Sequence, residues 1–287
     1  MAPHEEQMTD HDNAYADLLG SDDSQWAFGH DFEDPLAGVD TTVPADLDAT
    51  QLATYCLFLG DDALVLSHRL SEWCSNAPDL EDDIALANIS LDLLGQARLL
   101  LARAAAADPS LVPSMPAGSP VPAEDALAFF REAVDFRNLR FTEVANGDFA
   151  QTVARLLLFA TVRLAAFERL ASHADPVLAA IAAKGVKELA YHRDYAARWF
   201  VTLAQGTEES RRRLVDGLTA VWPLFAELAA AYEVGAEADV VLEQVLAVAQ
   251  VDRPEVAPMS GSGHTEAMSR VLTEMQVVAR AHPMGQW

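Results

Sequence analysis

From about residue 48 to the C-terminus, apolar residues recur at intervals of three and four in long runs, and no alternating strand pattern of any length interrupts them. That periodicity predicts helices throughout. Asp48 or Thr50 can cap a first helix that runs to about Cys74. Gly60 lies inside it at a cost of about 1 kcal/mol. "SNAPDLEDD" reads as a turn, and the acids Glu81 to Asp83 suit the positive end of a second helix over about 80–107. Pro109 forbids its continuation. "SLVPSMPAGSPVPAED" is a loop, "EDALAFFREAV" a short helix, and "DFRNLRFTEVANGDF" irregular with a turn at Asn146-Gly147. A third long helix runs from about Phe149 to Ser172. A fourth is opened by Asp175-Pro176 and closed by Gly206. Thr207 caps a fifth, which Pro223 should kink, and "HTEAMSRVLTEMQVVARAH" forms a last helix after the flexible "MSGSGH". Long helices in two antiparallel pairs, joined by a long middle connection, suit an all-α, ferritin-like four-helix bundle with further C-terminal helices.

Composition sharpens this picture at the N-terminus. The chain has 287 residues and a formal net charge of -25; its first fifty residues carry thirteen Asp and Glu and neither Lys nor Arg. Residues 1–47 are therefore expected to be an acidic, disordered extension, with Trp26 and Phe28 able to pin part of it to a surface, and 48–287 a helical domain. The absence of a basic stripe or recognition-helix signature argues against nucleic-acid binding. No membrane span or signal peptide is expected. Cys56 and Cys74, eighteen residues apart, are too distant on one helix for a disulfide and suit a reducing cytoplasm.

The chemistry concentrates in polar stripes on apolar helices. A di-iron bundle needs Glu from two helices and Glu-x-x-His from the other two, because residues three apart present a carboxylate and an imidazole to one iron. None of the eight histidines has Glu or Asp three residues before it. In place of that motif stand Asp61, His68 and Glu72 on the first helix, and Asn88, Asp92 and Gln96 on the second. The third carries Arg155 and Arg163, and the fourth Lys184, Glu188 and His192. These predict a degenerate, metal-free centre closed by hydrogen bonds and ion pairs, with Asp92 paired to Arg or Lys; Arg155, Arg163, Lys184 and His192 are the candidate partners. The alternative is an oxidoreductase with an atypical metal site built from Glu72, Asp92, Glu188 and His192. A free-standing helical adaptor also fits the composition. The first and third helices are apolar nearly all round, which predicts a large interface.

Four segments carry a resemblance: "LGDDALVLSHRLSEWCSNAPDLEDDIALANISLDLLGQAR", "DFRNLRFTEVANGDFAQTVAR", "KGVKELAYHRDYAARWF" and the closing "HTEAMSRVLTEMQ" with "GQW". From about residue 50 to the end the chain resembles the C subunits of the multicomponent phenylacetyl-CoA epoxidases. The acidic extension and the loop near Pro109 to Pro122 are additional. The resemblance implies a ferritin-like fold without iron ligands and a cytoplasmic, structural role, with no cofactor bound by this chain. It implies a heterodimer, assembling further, with a homologous catalytic A subunit that holds the di-iron centre. A B subunit and a reductase subunit with flavin and an iron–sulfur cluster complete a complex that epoxidises the ring of phenylacetyl-CoA in aerobic phenylacetate catabolism. It also implies that Asp135, Phe136, Arg137 and Asn138 meet the CoA ester. Arg137 can fork onto phosphate, Asn138 can bond amides, and Phe136 offers an apolar face. A loop that packs the A subunit against this chain is the other role open to that stretch.

Overall fold

A computed structural model describes residues 35–285, and those from Gly38 onward form one unit. Trp26 and Phe28 lie outside the described residues. The four long helices are α1 (Ala49–Ser71), α2 (Leu80–Ala107), α5 (Phe149–Leu170) and α6 (Pro176–Gln205). Their starts are set by side-chain caps. Asp48, Asp79, Asp148 and Asp175 each accept from backbone N–H groups of the following turn, satisfying donors that a helix start leaves free.

Cross-helix contacts fix the arrangement. Ser67 on α1 bonds Ser90 on α2, and Gly60 lies against Leu100 and Leu101, so these two helices run antiparallel. Asp92 meets His192 and Asp82 meets Trp199, so α2 and α6 do the same. Leu59 meets Arg163 and Trp73 meets Thr152, which sets α5 antiparallel to α1. α2 and α5 therefore stand parallel on a diagonal, and the segment between them crosses the bundle. That is the one-crossover topology of the ferritin-like arrangement. The crossover contains α3 (Ala123–Phe129) and α4 (Arg140–Glu143); α7 (Glu208–Val221), α8 (Phe225–Ala231), α9 (Gly235–Ala249) and α10 (Glu266–Ala281) pack around the outside. Residues 38–47 are held at Thr41 and Thr42, whose carbonyls accept from Arg103 on α2.

Three expectations need correction. The fifth helix is not merely kinked at Pro223: α7 ends at Val221, a 3-10 turn spans Trp222–Leu224, and α8 follows. The helix α9 is an addition to the expected elements. Gly235 opens it and β-branched residues thin its periodicity, so its pattern is weak, yet Ala238, Leu242, Leu246 and Ala249 bury a face. Finally, α1 and α5 are apolar all round because neighbours within the chain cover them. Every residue from Leu59 to Ser67 is buried, as are Thr152 to Leu164 without a break. On α2, by contrast, Leu80, Ile84, Leu91 and Leu94 form an exposed apolar face, at 68%, 54%, 56% and 42% exposed.

Among the described residues, three helical stretches are long and apolar enough to cross a bilayer by composition: α2, α5 and Glu208–Ala231. The α5 window is 83% buried within the chain, so packing accounts for its hydropathy, whereas the α2 window is only 50% buried.

Close helix contacts make glycine a test of this packing. A Cβ on Gly217 of α7 would stand 2.6 Å from the Cα of Gln151, a backbone atom that cannot swing away. Gly217→Ala is expected to cost about 1–3 kcal/mol. Gly95 on α2 has nothing within 4 Å of the same position. Gly95→Ala is expected to stabilise the isolated chain by about 0.5–1 kcal/mol. Urea unfolding of both variants checks the pair, and the reverse order would contradict the packing described.

Candidate functional site

The centre of the bundle is built on Arg163, which is fully buried on α5. Its Nε donates to Gln96 Oε1 of α2 at 3.1 Å, and its Nη1 donates to the Leu59 carbonyl of α1 at 3.1 Å and to Tyr232 Oη at 2.9 Å. Tyr232 donates onward to Asp62 Oδ2 of α1 at 2.9 Å. Gln96 Nε2 donates to Glu188 Oε2 of α6 at 2.9 Å, and Lys184 pairs with Glu188 at 3.1 Å, the ordinary i,i+4 helix pair. The Phe167 ring lies 4.5 Å from the guanidinium, and only a glycine at 185 lets α6 approach that ring, since a Cβ there would stand 2.6 Å from it.

Gln96, Arg163, Lys184 and Glu188 thus meet at the bundle centre. Asp92 and His192 meet each other instead, at 2.9 Å, with His192 buried and Asp92 half-buried; the expected Arg or Lys partner for Asp92 is a histidine. Asn88 is exposed and makes none of these bonds. The reason is helical geometry: a four-residue step overshoots a turn by about 40°, so Asn88, Asp92 and Gln96 wind around the helix rather than sharing one face. Arg155, buried on α5, turns away from Arg163 and donates to the Val144 carbonyl and to Asn146. Glu72 is also outside the centre. It caps the C-terminus of α1 and accepts from Arg69 at 2.8 Å and Asn146 at 3.1 Å. The four residues of the atypical metal site do not converge. Among the described residues, one group of three possible ligands lies within 4.8 Å, namely His68, Glu72 and Glu274. A guanidinium and an amide occupy the middle of the bundle, and this donor set does not fit a di-iron centre.

Asp62 stands beside Asp61 but outside the predicted stripe, although two adjacent carboxylates inside so apolar a helix are themselves a signal. Asp61 pairs with Arg131 through both its oxygens and accepts from the Arg137 N–H at 2.8 Å. Asp62 accepts from the Leu139 N–H at 2.7 Å. Burial pushes the Asp62 carboxyl up to about 7, against the pull of the Leu139 and Tyr232 bonds and of Arg163.

These two carboxylates place the segment Asp135 to Asn138. Phe136 is buried under the Arg131 guanidinium, 4.1 Å away. Asn138 is buried and donates to Glu143 at 3.1 Å. Neither presents its side chain to a ligand, because both hold the loop to the core. Asp135 and Arg137 are exposed, and the Arg137 side chain has no ion-pair partner among the described residues. Glu143, fully buried, accepts from His264 at 2.6 Å and from the Thr265 N–H and hydroxyl at 2.6 Å, tying the start of α10 to the crossover. Burial works to raise the Glu143 carboxyl, but the His264 and Thr265 bonds bring it below its ordinary range; the bond to Glu143 raises His264. Tyr232, Glu143 and His264 carry no spacing that could reveal them in the sequence.

Residues 37–287 match the family described as phenylacetic acid catabolic protein. The chain is 40% identical over 258 residues to the C subunit of the 1,2-phenylacetyl-CoA epoxidase of Escherichia coli strain K12, a match covering 83% of this chain and 99% of that relative.

Two outcomes test the centre. Arg163→Ala leaves Tyr232, Gln96 and the Leu59 carbonyl without their donor and is expected to cost about 3–5 kcal/mol in urea unfolding. Asp62 binds its proton more tightly folded than unfolded. Its contribution is therefore present below about pH 4 and lost as pH rises to about 7. The penalty of Asp62→Asn, measured across that window, should shrink as pH rises; a penalty that grows would refute the assignment.

Proposed function

We propose, because the chain belongs to the phenylacetic acid catabolic protein family, that it is the non-catalytic, structural subunit of a phenylacetyl-CoA epoxidase acting in the cytoplasm. In this reading it packs against a homologous A subunit that carries the di-iron centre. The B and reductase subunits complete the complex, the reductase bringing flavin and iron–sulfur, and this chain holds neither the iron nor any redox cofactor. The observation that carries it is the donor set at the bundle centre: Arg163 donates to Gln96, Tyr232 and the Leu59 carbonyl where a di-iron site needs converging carboxylates and imidazoles. An oxidoreductase with an atypical site has no such convergence to rest on, and a free-standing adaptor has no account of the family match.

The α2 face supports the partnership. Leu80, Ile84, Leu91 and Leu94 are all exposed along this one helix, with Tyr191 of α6 also exposed at 49%. Four large apolar side chains on the outside of one helix mark a surface that another protein covers. The A subunit is the occupant proposed, and a second AC pair extends the assembly.

The resemblance of Asp135 to Asn138 to a CoA-ester contact narrows to Arg137. Its backbone is fixed by Asp61 and its side chain is exposed, a placement suited to a phosphate of the CoA moiety.

Co-expression with the A subunit, followed by pull-down and iron quantification of each chain, tests the assignment: iron is expected to follow the A subunit alone. Leu91→Glu should abolish co-purification while leaving the circular dichroism of the isolated chain unchanged. Iron retained stoichiometrically by this chain and lost with Asp92→Ala would overturn the structural role. Arg137→Ala should raise the KM of the assembled complex for the CoA ester without loss of assembly, and failed assembly would instead make that loop a packing element.

A further inference from the structure

A group of side chains at the C-terminal end of α1 remains outside the function proposed above. His68 and Glu72 lie one helical turn apart there, and Glu274 approaches them from the middle of α10. One ligand atom from each lies within 4.8 Å of the other two. His68 Nε2 is enclosed, has no hydrogen-bond partner, and faces Glu274 Oε2 at 3.7 Å, an ion pair when the ring is protonated. A neutral ring leaves this nitrogen facing two carboxylates across a gap that a bound cation can bridge.

The surroundings fit a cation. The α1 C-terminus presents the negative end of the helix dipole, and Glu72 is its cap residue. Arg69 and Asn146 donate to separate oxygens of Glu72, at 2.8 Å and 3.1 Å. Such bonds orient a liganding carboxylate while leaving a lone pair on each oxygen. Arg69 also brings a positive charge close by, which lowers affinity below that of a dedicated metal cage.

We infer that His68, Glu72 and Glu274 form a binding site for a divalent transition metal ion, Zn²⁺ by the chemistry of the donors, which clamps α10 to the end of α1. One imidazole nitrogen with two carboxylates is a donor set for Zn²⁺ rather than for Ca²⁺ or Mg²⁺, which prefer all-oxygen sites. The site is peripheral and separate from the bundle centre, so it stands or falls independently of the subunit role proposed above.

Isothermal titration of the full chain with zinc chloride at neutral pH, after treatment with a chelator, tests it. A saturable site of micromolar affinity is expected, weakened by about tenfold or more in both His68→Gln and Glu274→Gln. Calcium chloride should give no such binding. Glu274 is exposed, so Glu274→Gln keeps the test valid if the His68 variant unfolds. Hydrogen exchange supplies the second readout: zinc should slow exchange across α10 in the unaltered chain and not in Glu274→Gln. No saturable zinc binding, or binding that Glu274→Gln leaves unchanged, overturns the proposal. Iron content and co-purification with the A subunit, which report on the subunit role, should be unaffected by Glu274→Gln.

Discussion

A guanidinium at the centre of four helices needs acceptors for its donors, because burying an unpaired cation costs several kcal/mol. Arg163 is in that position: the bundle satisfies its Nε and Nη1, while Nη2 has no hydrogen-bond partner and the Phe167 ring lies against the guanidinium. α1 gives a backbone carbonyl, α2 gives Gln96, and the segment after α8 returns Tyr232 to the centre. The two side-chain acceptors are themselves donors elsewhere: Tyr232 to Asp62, and Gln96 to Glu188. The carboxyls of Asp62 and Glu188 thus lie at the outer ends of the Arg163 network, with the Lys184 ammonium beside Glu188. The network also fixes register, since sliding any of these helices by one residue would break a bond that no solvent can replace.

The same constraint reaches the surface through Asp61 and Asp62. The adjacent carboxylates diverge, one to Arg131 and the Arg137 N–H, the other to Tyr232 and the Leu139 N–H. The crossover between α2 and α5 has little regular structure of its own, so its path depends on these bonds and on Glu143. Arg137 is exposed while residues on both sides of it are pinned: Phe136 beneath Arg131, Asn138 against Glu143. An exposed arginine on a loop fixed at both sides loses less conformational entropy when it meets an anion than one on a free loop.

The long helices, their Asp and Thr caps and the crossover are readable from spacing alone, because local chemistry determines them. The cap at Asp175-Pro176 and the stop at Gly206 fall where the pattern places them. The matching of polar side chains across helices is only half readable. Lys184 and Glu188 are neighbours on one helix, and their pairing follows from sequence spacing. Asp92 and His192 are a hundred residues apart, and which side chain meets Asp92 depends on the packing of α2 against α6. Glu72 belongs to a central stripe by its spacing, yet the helix ends there and the side chain turns to the Asn146 loop. Asp62 and Tyr232 give no local sign of each other because they are 170 residues apart in the chain. The helix α9 is obscure for a different reason: many of its apolar residues are small or β-branched, and tertiary packing rather than intrinsic propensity holds it in place.

α2 divides its side chains between the interior and an exposed apolar face. Its polar stripe advances about 40° with each four-residue step, so Gln96 reaches Arg163 while Asn88, two steps earlier, stands nearer the surface. The outer side of the helix carries Leu80, Ile84, Leu91 and Leu94. Fully burying such side chains is worth about 1.5–3 kcal/mol each. Four of them make a substantial driving force for association even after the entropic cost of docking is subtracted. The hydropathy that lets α2 pass for a membrane span is therefore divided: half lies inside this chain, and the rest faces outward. A catalytic neighbour resting on that face would touch the helix whose inner side anchors Gln96 to Arg163. Any strain at the interface would then be met by a polar core of fixed register, which is the mechanical property a supporting subunit needs.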